Sequence, residues 1–540
     1  MTLEEKIGQL LLVGFEGTEP SSQIVRLIRK HRVGGVIYFA RNVRNKKQLA
    51  ELSDALQQEA REAGTLPLWI SIDQEGGMVA RITDGVALMP GAMALAAGGS
   101  LDDAYEVAHI TGKELRALGI NLNYAPVLDV NNNARNPVIG VRSFGESPDA
   151  VAAFGAATVR GLQDAGVAAT AKHFPGHGDT ETDSHLDLPV VPHGEERIRE
   201  VELKPFVRAI EEGVDLIMSS HIYFPAFEPQ RLPVTLSHRV LTGLLREELG
   251  YKGVIVTDCM EMHAISKHFG TVQAAVAAIE AGADAVLLSH TYELQTGAIE
   301  AIADAVRTGR LSEARIDASV ERLLALKAKR GIIGAQEDQP LTERLAAVGT
   351  AEHLAAARRF SEKSVTVVKD GGLLPLAAEP TLVIAIEPSV VTMVDDVMKT
   401  QLTLGKALSA LGFDVREELI PLTDTKALLG QTLTIAAEFD QIVVATYNAA
   451  FDPHQAGLVN GLLAAGKRPI VVATRNPYDW ASFPEAPAYV CTYESRPLAL
   501  ESAASVLAGR IAPKGKLPVS IAPHVQAGWG VTDLARGPAE

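Results

Sequence analysis

Residues 253–258 read GVIVTD: a glycine, three branched aliphatics, a threonine, and then a carboxylate. Branched residues favour a strand, and a continuous apolar run suits a strand covered on both faces. The same shape recurs along the first 330 residues. The runs are Gln9–Phe15, Gly35–Phe39, Leu68–Asp73, Leu122–Asp129, Ala168–Phe174, Leu216–His221, Gly253–Asp258 and Ala285–Ser289. Segments of helical period lie between them, among them Lys47–Ala63, Asp102–Leu118, Ser147–Ala165, Glu195–Glu212 and Val272–Ala281. Eight strands, each followed by a helix, predict a (β/α)8 TIM-like barrel over residues 1–335. A doubly wound open sheet rarely reaches eight strands with such regular spacing.

Several runs stop on a residue that can do chemistry. They end at Asp73, Asp129, Lys172 with His173, His221 and Asp258. In a barrel these carboxyl ends open onto one face, the face that carries barrel active sites. A single polar strand end needs no explanation, since strands must exit to solvent. Five converging sets of carboxylates, imidazoles and an amine are hard to attribute to packing.

Beyond the barrel, residues 336–360 read as a linker, where GIIGAQEDQPLTERL (331–345) supplies glycines, a proline and charges before an amphipathic helix. Residues 361–540 read as a C-terminal α/β sandwich domain. Its candidate strands are Val365–Lys369, Leu382–Ile386, Gln441–Ala445, Ile470–Ala473 and Ala488–Tyr493. Continuous apolar strands separated by helices predict a mostly parallel sheet covered on both faces.

Composition narrows the function. The net charge of −16 and the lack of a dense Lys/Arg run argue against nucleic acid as a partner. No apolar stretch approaches the ~20 residues that span a bilayer, so no membrane partner is expected. The start, MTLEEKIGQLLLVGF, has no basic n-region, and the two cysteines, Cys259 and Cys491, lie far apart in apolar runs. Reduced thiols and a cytoplasmic location are the expectation.

The densest chemistry lies in KHFPGHGDTETDSHLDLP (172–189), where Pro175, Gly176 and Gly178 forbid a continuous helix. One reading is a metal site on His173 and His177. That spacing needs both imidazoles on one helical face, which the proline and glycines remove. The other reading is proton transfer by Asp183 and His185. A carboxylate on one ring nitrogen fixes the tautomer and stabilises the imidazolium. Asp258 could be a nucleophile, a base, a metal ligand, or merely a cap on the next helix. In DQEGGMVAR (73–81), Asp73 and Arg81 could hold sugar hydroxyls or form a surface ion pair; Arg142 in VRSFG, taken singly, reads as an ion-pair partner. GRIAPKGKL (509–517) has five residues between its glycines instead of four and Leu517 in place of a metal-binding hydroxyl, so it is not a phosphate loop.

Together these segments resemble glycoside hydrolase family 3, in its β-N-acetylglucosaminidase branch. KHFPGHGDTETDSH is similar to that branch's long loop, GVIVTDCMEM to its nucleophile strand, and DQEGGMVAR and VRSFG to its sugar-binding segments; GRIAPKGKLPVSI is like part of the family's second domain. The resemblance implies Asp258 as nucleophile, His185 as acid/base and Asp183 as its helper. It also implies sugar contacts from Asp73, Arg81, Asp129, Arg142, Lys172 and His173. The sequence departs from the family's commonest pattern at Cys259 and His263, which bears on substrate fit. No metal or cofactor is implied. The expected partner is a carbohydrate: terminal β-linked N-acetylglucosamine on muropeptides, chitooligosaccharides or related glycosides. The expected chemistry is retaining, through a covalent glycosyl-enzyme. The alternatives are a β-N-acetylglucosaminide phosphorylase and a family-3 β-glucosidase, the latter taking its acid/base Glu from the second domain.

Overall fold

A computed structural model describes residues 1–334, 339–388, 402–521, 523 and 525–534. Eight parallel strands close into a barrel: β1 (Leu11–Val13), β2 (Gly35–Tyr38), β3 (Trp69–Ile72), β4 (Leu122–Asn123), β5 (Ala168–Phe174), β6 (Leu216–Ser219), β7 (Val254–Cys259) and β8 (Ala285–Leu288). They pair in sequence order, and β8 closes on β1 through Leu11–Val286, Leu12–Leu287 and Val13–Leu288. The expected barrel is therefore present, strand for strand.

Two elements differ from expectation at their edges. The apolar pattern carries the fourth run to Asp129, but regular pairing ends at Asn123. Pro126 has no N–H to give the ladder. The chain then follows β5 through a Val127–Lys172 bridge and a bond from the Thr170 N–H to the Ala125 carbonyl at 2.9 Å. The helix expected over Glu195–Glu212 is two helices, Glu195–Glu200 and Lys204–Glu211. Pro205 lies in the first turn of the second, where its missing N–H costs nothing.

The expected linker is largely helical. Residues 336–338 lie outside the described residues, and the rest includes Leu341–Ala346 and the start of Ala351–Ser364. The expected 360/361 boundary thus falls inside a helix. Thr350 caps that helix.

The second domain carries β9 (Thr366–Lys369), β10 (Thr381–Glu387), β11 (Val415–Pro421), β12 (Gln441–Thr446), β13 (Ile470–Ala473) and β14 (Ala488–Cys491). Their order is β9-β14-β13-β12-β10-β11, parallel except for the antiparallel β9–β14 edge pair. The edge strand β11 is one the apolar pattern does not predict, because VREELIP is charged and mostly half-buried. The domains share apolar core. Met78, Met93, Ala94, Ala97 and Val141 of the barrel pack into the same buried cluster as Leu382, Ile442, Val471 and Tyr489. The second domain is therefore seated on the carboxyl-end loops of β3 and β4.

Candidate functional site

The mouth is built around a buried carboxylate–cation chain. Asn123 on β4 binds both backbone groups of Gln74, accepting from its N–H at 3.0 Å and donating to its carbonyl at 2.9 Å. This fixes the two carboxylates on either side, Asp73 and Glu75. Lys172 Nζ lies 2.7 Å from Asp73 Oδ1 and 2.7 Å from Glu75 Oε1. Arg142 donates to both Glu75 oxygens, from Nε at 2.9 Å and Nη2 at 2.8 Å. Burial alone would push the Glu75 carboxyl up, but Arg142 and Lys172 hold it well below the usual carboxylate range. Glu75 pushes the Arg142 guanidinium further up against its own desolvation. Arg81 lies 3.8 Å from Asp73, and both are too enclosed to be a surface pair.

A second network anchors the loop after β5. Asp129 is fully buried and accepts from the His173 N–H (3.1 Å), the His177 N–H (2.7 Å) and His173 Nδ1 (2.7 Å). Burial raises its carboxyl, and the imidazole and amide partners bring it back below its ordinary value. These bonds turn its oxygens toward the loop, and it orients His173 through Nδ1. Arg142 is held in place by Glu75 and by the Val138 carbonyl, at 3.2 Å.

His177 binds Thr180 Oγ1 at 2.8 Å through Nδ1 and Ser184 Oγ at 3.0 Å through Nε2. Both ring nitrogens are thus used inside the loop, and burial drives this imidazole down to about 4. Its ring stands 5.9 Å from that of His173, nearly perpendicular. That geometry does not offer two converging nitrogens to a metal. Among the described residues no cluster of three or more His, Cys, Asp or Glu has metal-ligand geometry.

Asp183 and His185 meet as their spacing suggests. Asp183 Oδ1 accepts from His185 Nδ1 at 2.7 Å and from its backbone N–H at 2.9 Å. Burial raises the Asp183 carboxyl, and the two bonds from His185 more than offset this, so it stays ionised. That bond occupies Nδ1 and leaves Nε2 as the ring nitrogen that can exchange a proton. The loop is tied to the segment after β7: Ala264 N–H donates to the Ser184 carbonyl (3.3 Å), Lys267 Nζ to the Leu186 carbonyl (3.1 Å), and His268 bonds Asp187 (2.7 Å). It therefore folds over the mouth toward the strand that carries Asp258.

Asp258 is the penultimate residue of β7 and accepts the Cys259 N–H at 2.7 Å. Burial pushes it up, but the imidazoles of His173, His221 and His185 outweigh this and hold it below its ordinary value. The next helix, His263–Ser266, is preceded by Met262, so Asp258 is not its cap. His221, which ends the sixth run, is buried and holds the Cys259 carbonyl at 2.9 Å, keeping the β7 end in place. Burial raises the Cys259 thiol to about 12, which makes it inert beside the carboxylate. His263 is exposed at the start of its helix. The mouth thus sets an ionised aspartate beside an Asp-oriented imidazole, with a buried carboxylate and ammonium set next to them. Sequence reasoning missed Glu75 and Asn123. Glu75 sits between Gln74 and Gly76 and reads as a solvated turn residue.

Comparison with known proteins gives a consistent picture. The Glycosyl hydrolase family 3 N terminal domain matches residues 2–326. A family 3 β-N-acetylglucosaminidase from Paenibacillus sp. str. FPU-7 superposes with a TM-score of 0.92 at 49% identity, covering 96% of this chain and 99% of that one. A β-hexosaminidase A from Pseudoalteromonas piscicida is 32% identical over 585 residues, covering 96% of this chain and 97% of that protein. A β-hexosaminidase from Xylella fastidiosa (strain M23) is 37% identical over 300 residues, 54% of this chain and 87% of its own length.

Proposed function

Because this chain belongs to glycosyl hydrolase family 3 and is a glycoside hydrolase, we propose that it is a retaining, exo-acting β-N-acetylhexosaminidase that removes terminal β-linked N-acetylglucosamine. The observation that carries the reading is the pairing of two groups at one mouth: an ionised Asp258 and a His185 whose Nδ1 is held by Asp183 at 2.7 Å. Asp258 attacks the anomeric carbon while His185 Nε2–H protonates the departing oxygen, and a covalent glycosyl-enzyme forms. His185, now neutral, takes a proton from water as the water attacks the same carbon, and Asp258 leaves. Two inversions retain the configuration. Asp183 keeps the imidazole in the tautomer that presents Nε2 and stabilises the imidazolium that gives its proton in the first step and re-forms in the second. Asp73, Arg81, Lys172 and His173 supply the sugar contacts. Glu75, Arg142 and Asp129 set their positions.

The names of the relatives support N-acetylhexosamine as the sugar. The second domain covers the mouth on the side of β3 and β4, which supports attack on chain ends over attack within a polymer. Muropeptides, chitooligosaccharides and related glycosides all present such an end. Two free, buried cysteines suit a cytoplasmic setting, where thiols stay reduced.

The test is steady-state kinetics on nitrophenyl N-acetyl-β-glucosaminide and β-glucoside, with Asp258→Ala and His185→Ala beside wild type. The N-acetylglucosaminide should be strongly preferred and both variants should lose most of kcat. A nitrophenolate leaving group, which needs no proton, should partly rescue His185→Ala but not Asp258→Ala. The first-formed product should be the β-anomer of the free sugar, with no stimulation by phosphate. Preference for the glucoside, an α-anomer, or a sugar phosphate product would each overturn the reading.

A further inference from the structure

The carboxyl ends of parallel strands in an open α/β sheet form the crevice where such domains hold ligands. Here that edge grips the barrel. Arg496, which follows β14 and is 2% exposed, donates from Nε to the Gly77 carbonyl (2.6 Å) and from Nη2 to the Met78 carbonyl (2.9 Å). Glu494, also buried, accepts the Gly91 N–H at 2.9 Å. Asn476, which follows β13, accepts the Val141 N–H at 3.2 Å. The fit is close: a Cβ on Gly77 would stand 2.6 Å from Glu494 Oε2, and one on Gly140 would stand 2.5 Å from Asn476 Oδ1.

The gripped segments are those that carry the Glu75–Arg142 pair. Glu75 immediately precedes Gly76 and Gly77, which sit at φ 95° and 55° and would give a slack turn if unsupported. Arg142 immediately follows Val141. None of these contacts reaches Asp258 or the Asp183–His185 loop. The bracing is one-sided.

Resting on the proposed function, we infer that the second domain sets the geometry of the sugar-binding half of the mouth, with Arg496 and Asn476 as positioning residues. Arg496 holds the 76–78 turn and Asn476 holds the 140–142 turn. Together they keep Glu75 and Arg142 in register, so that Lys172 and Asp73 stand where the sugar hydroxyls arrive. The planar guanidinium meets the two successive carbonyls from two separate nitrogens held rigidly together, a geometry that the single nitrogen of an ammonium does not copy.

The test uses the full chain with Arg496→Met, Arg496→Lys and Asn476→Ala, assayed on nitrophenyl N-acetyl-β-glucosaminide and normalised to folded protein. KM should rise about tenfold or more in Arg496→Met while kcat stays close to wild type, because displaced contacts weaken binding and leave the acid and nucleophile in place. Arg496→Lys should fall between, and the pH profile of kcat should not move. Amide exchange in residues 74–81 should quicken in Arg496→Met. If Arg496→Met does not fold, the same KM rise and faster exchange around residues 140–142 are expected in Asn476→Ala. An unchanged KM with unchanged exchange, or loss of kcat alone, overturns the inference. Wild type inactive on the N-acetylglucosaminide sinks the proposed function instead, and the exchange rates then decide the brace independently.

Discussion

Replacing Glu75 by glutamine tests the buried charge set that organises the mouth. The native set links two carboxylates, Asp73 and Glu75, to Lys172 and Arg142, with Arg81 3.8 Å from Asp73. Glutamine keeps the shape and one acceptor but leaves these cations facing one carboxylate. Arg142 loses its ion pair and one of its two bonds to this side chain, and its own side chain is only 5% exposed. Removing one partner of a buried pair costs about 3–5 kcal/mol, and the retained amide oxygen favours the lower end, about 3 kcal/mol. For a cooperative unit of this size that is a fall in Tm of roughly 3–4 °C. Scanning calorimetry at pH 7 reads it. The double variant Glu75→Gln/Arg142→Met is the sharper arm: it removes the orphaned guanidinium and leaves Lys172 paired with Asp73, so it should melt above the single Glu75→Gln variant. The sign with pH follows from the depressed carboxyl. Its stabilisation is full above the unfolded-state value of about 4.3 and fades as pH falls through the lower folded value, so the gap from wild type should persist at pH 6 and shrink in acid. A single variant melting within a degree of wild type, or additive losses in the double, would refute the reasoning.

Asp183→Asn keeps the loop geometry but lets the amide favour the wrong imidazole tautomer, so kcat should drop about a hundredfold or more with little change in KM; a wild-type kcat would remove Asp183 from the mechanism. Gly77→Ala forces a Cβ to within 2.7 Å of Gly91 Cα at φ 55°, and a cost of about 1–3 kcal/mol should appear as a lower Tm. Glu494→Gln probes the buried carboxyl at the domain seam, which burial pushes up to about 7 despite the Gly91 N–H and Arg496. Its charge is unfavourable in the folded state above that pH, and stability is lost as pH rises from about 4.5 to 7. The variant should therefore gain on the order of 3 kcal/mol over wild type at pH 8 and less than about 1 at pH 5, read by melting at both; an equal difference at both pH values would exclude the titration.

The barrel and the chemistry at its strand ends are legible in the chain of residues alone. Branched runs such as GVIVTD fix strands locally, and eight of them with intervening helices leave one way to close. A carboxylate ending a buried strand must then lie at the open face, which places Asp258 without any knowledge of contacts. The Asp183–His185 pair is legible for the same reason, since two residues of spacing is short enough for one side chain to find the other. Which polar groups are consumed by each other is a matter of the folded arrangement. Asp129 anchors the histidines of the loop after β5, and Glu75, which no local pattern singles out, is the hub of two ion pairs. Their partners lie 44 and 67 residues away. The grip of Arg496 on Gly77 spans 419 residues. Periodicity and propensity act over a few residues, whereas burial and charge pairing act through space, and only the closed barrel with its second domain seated brings those groups within hydrogen-bond reach.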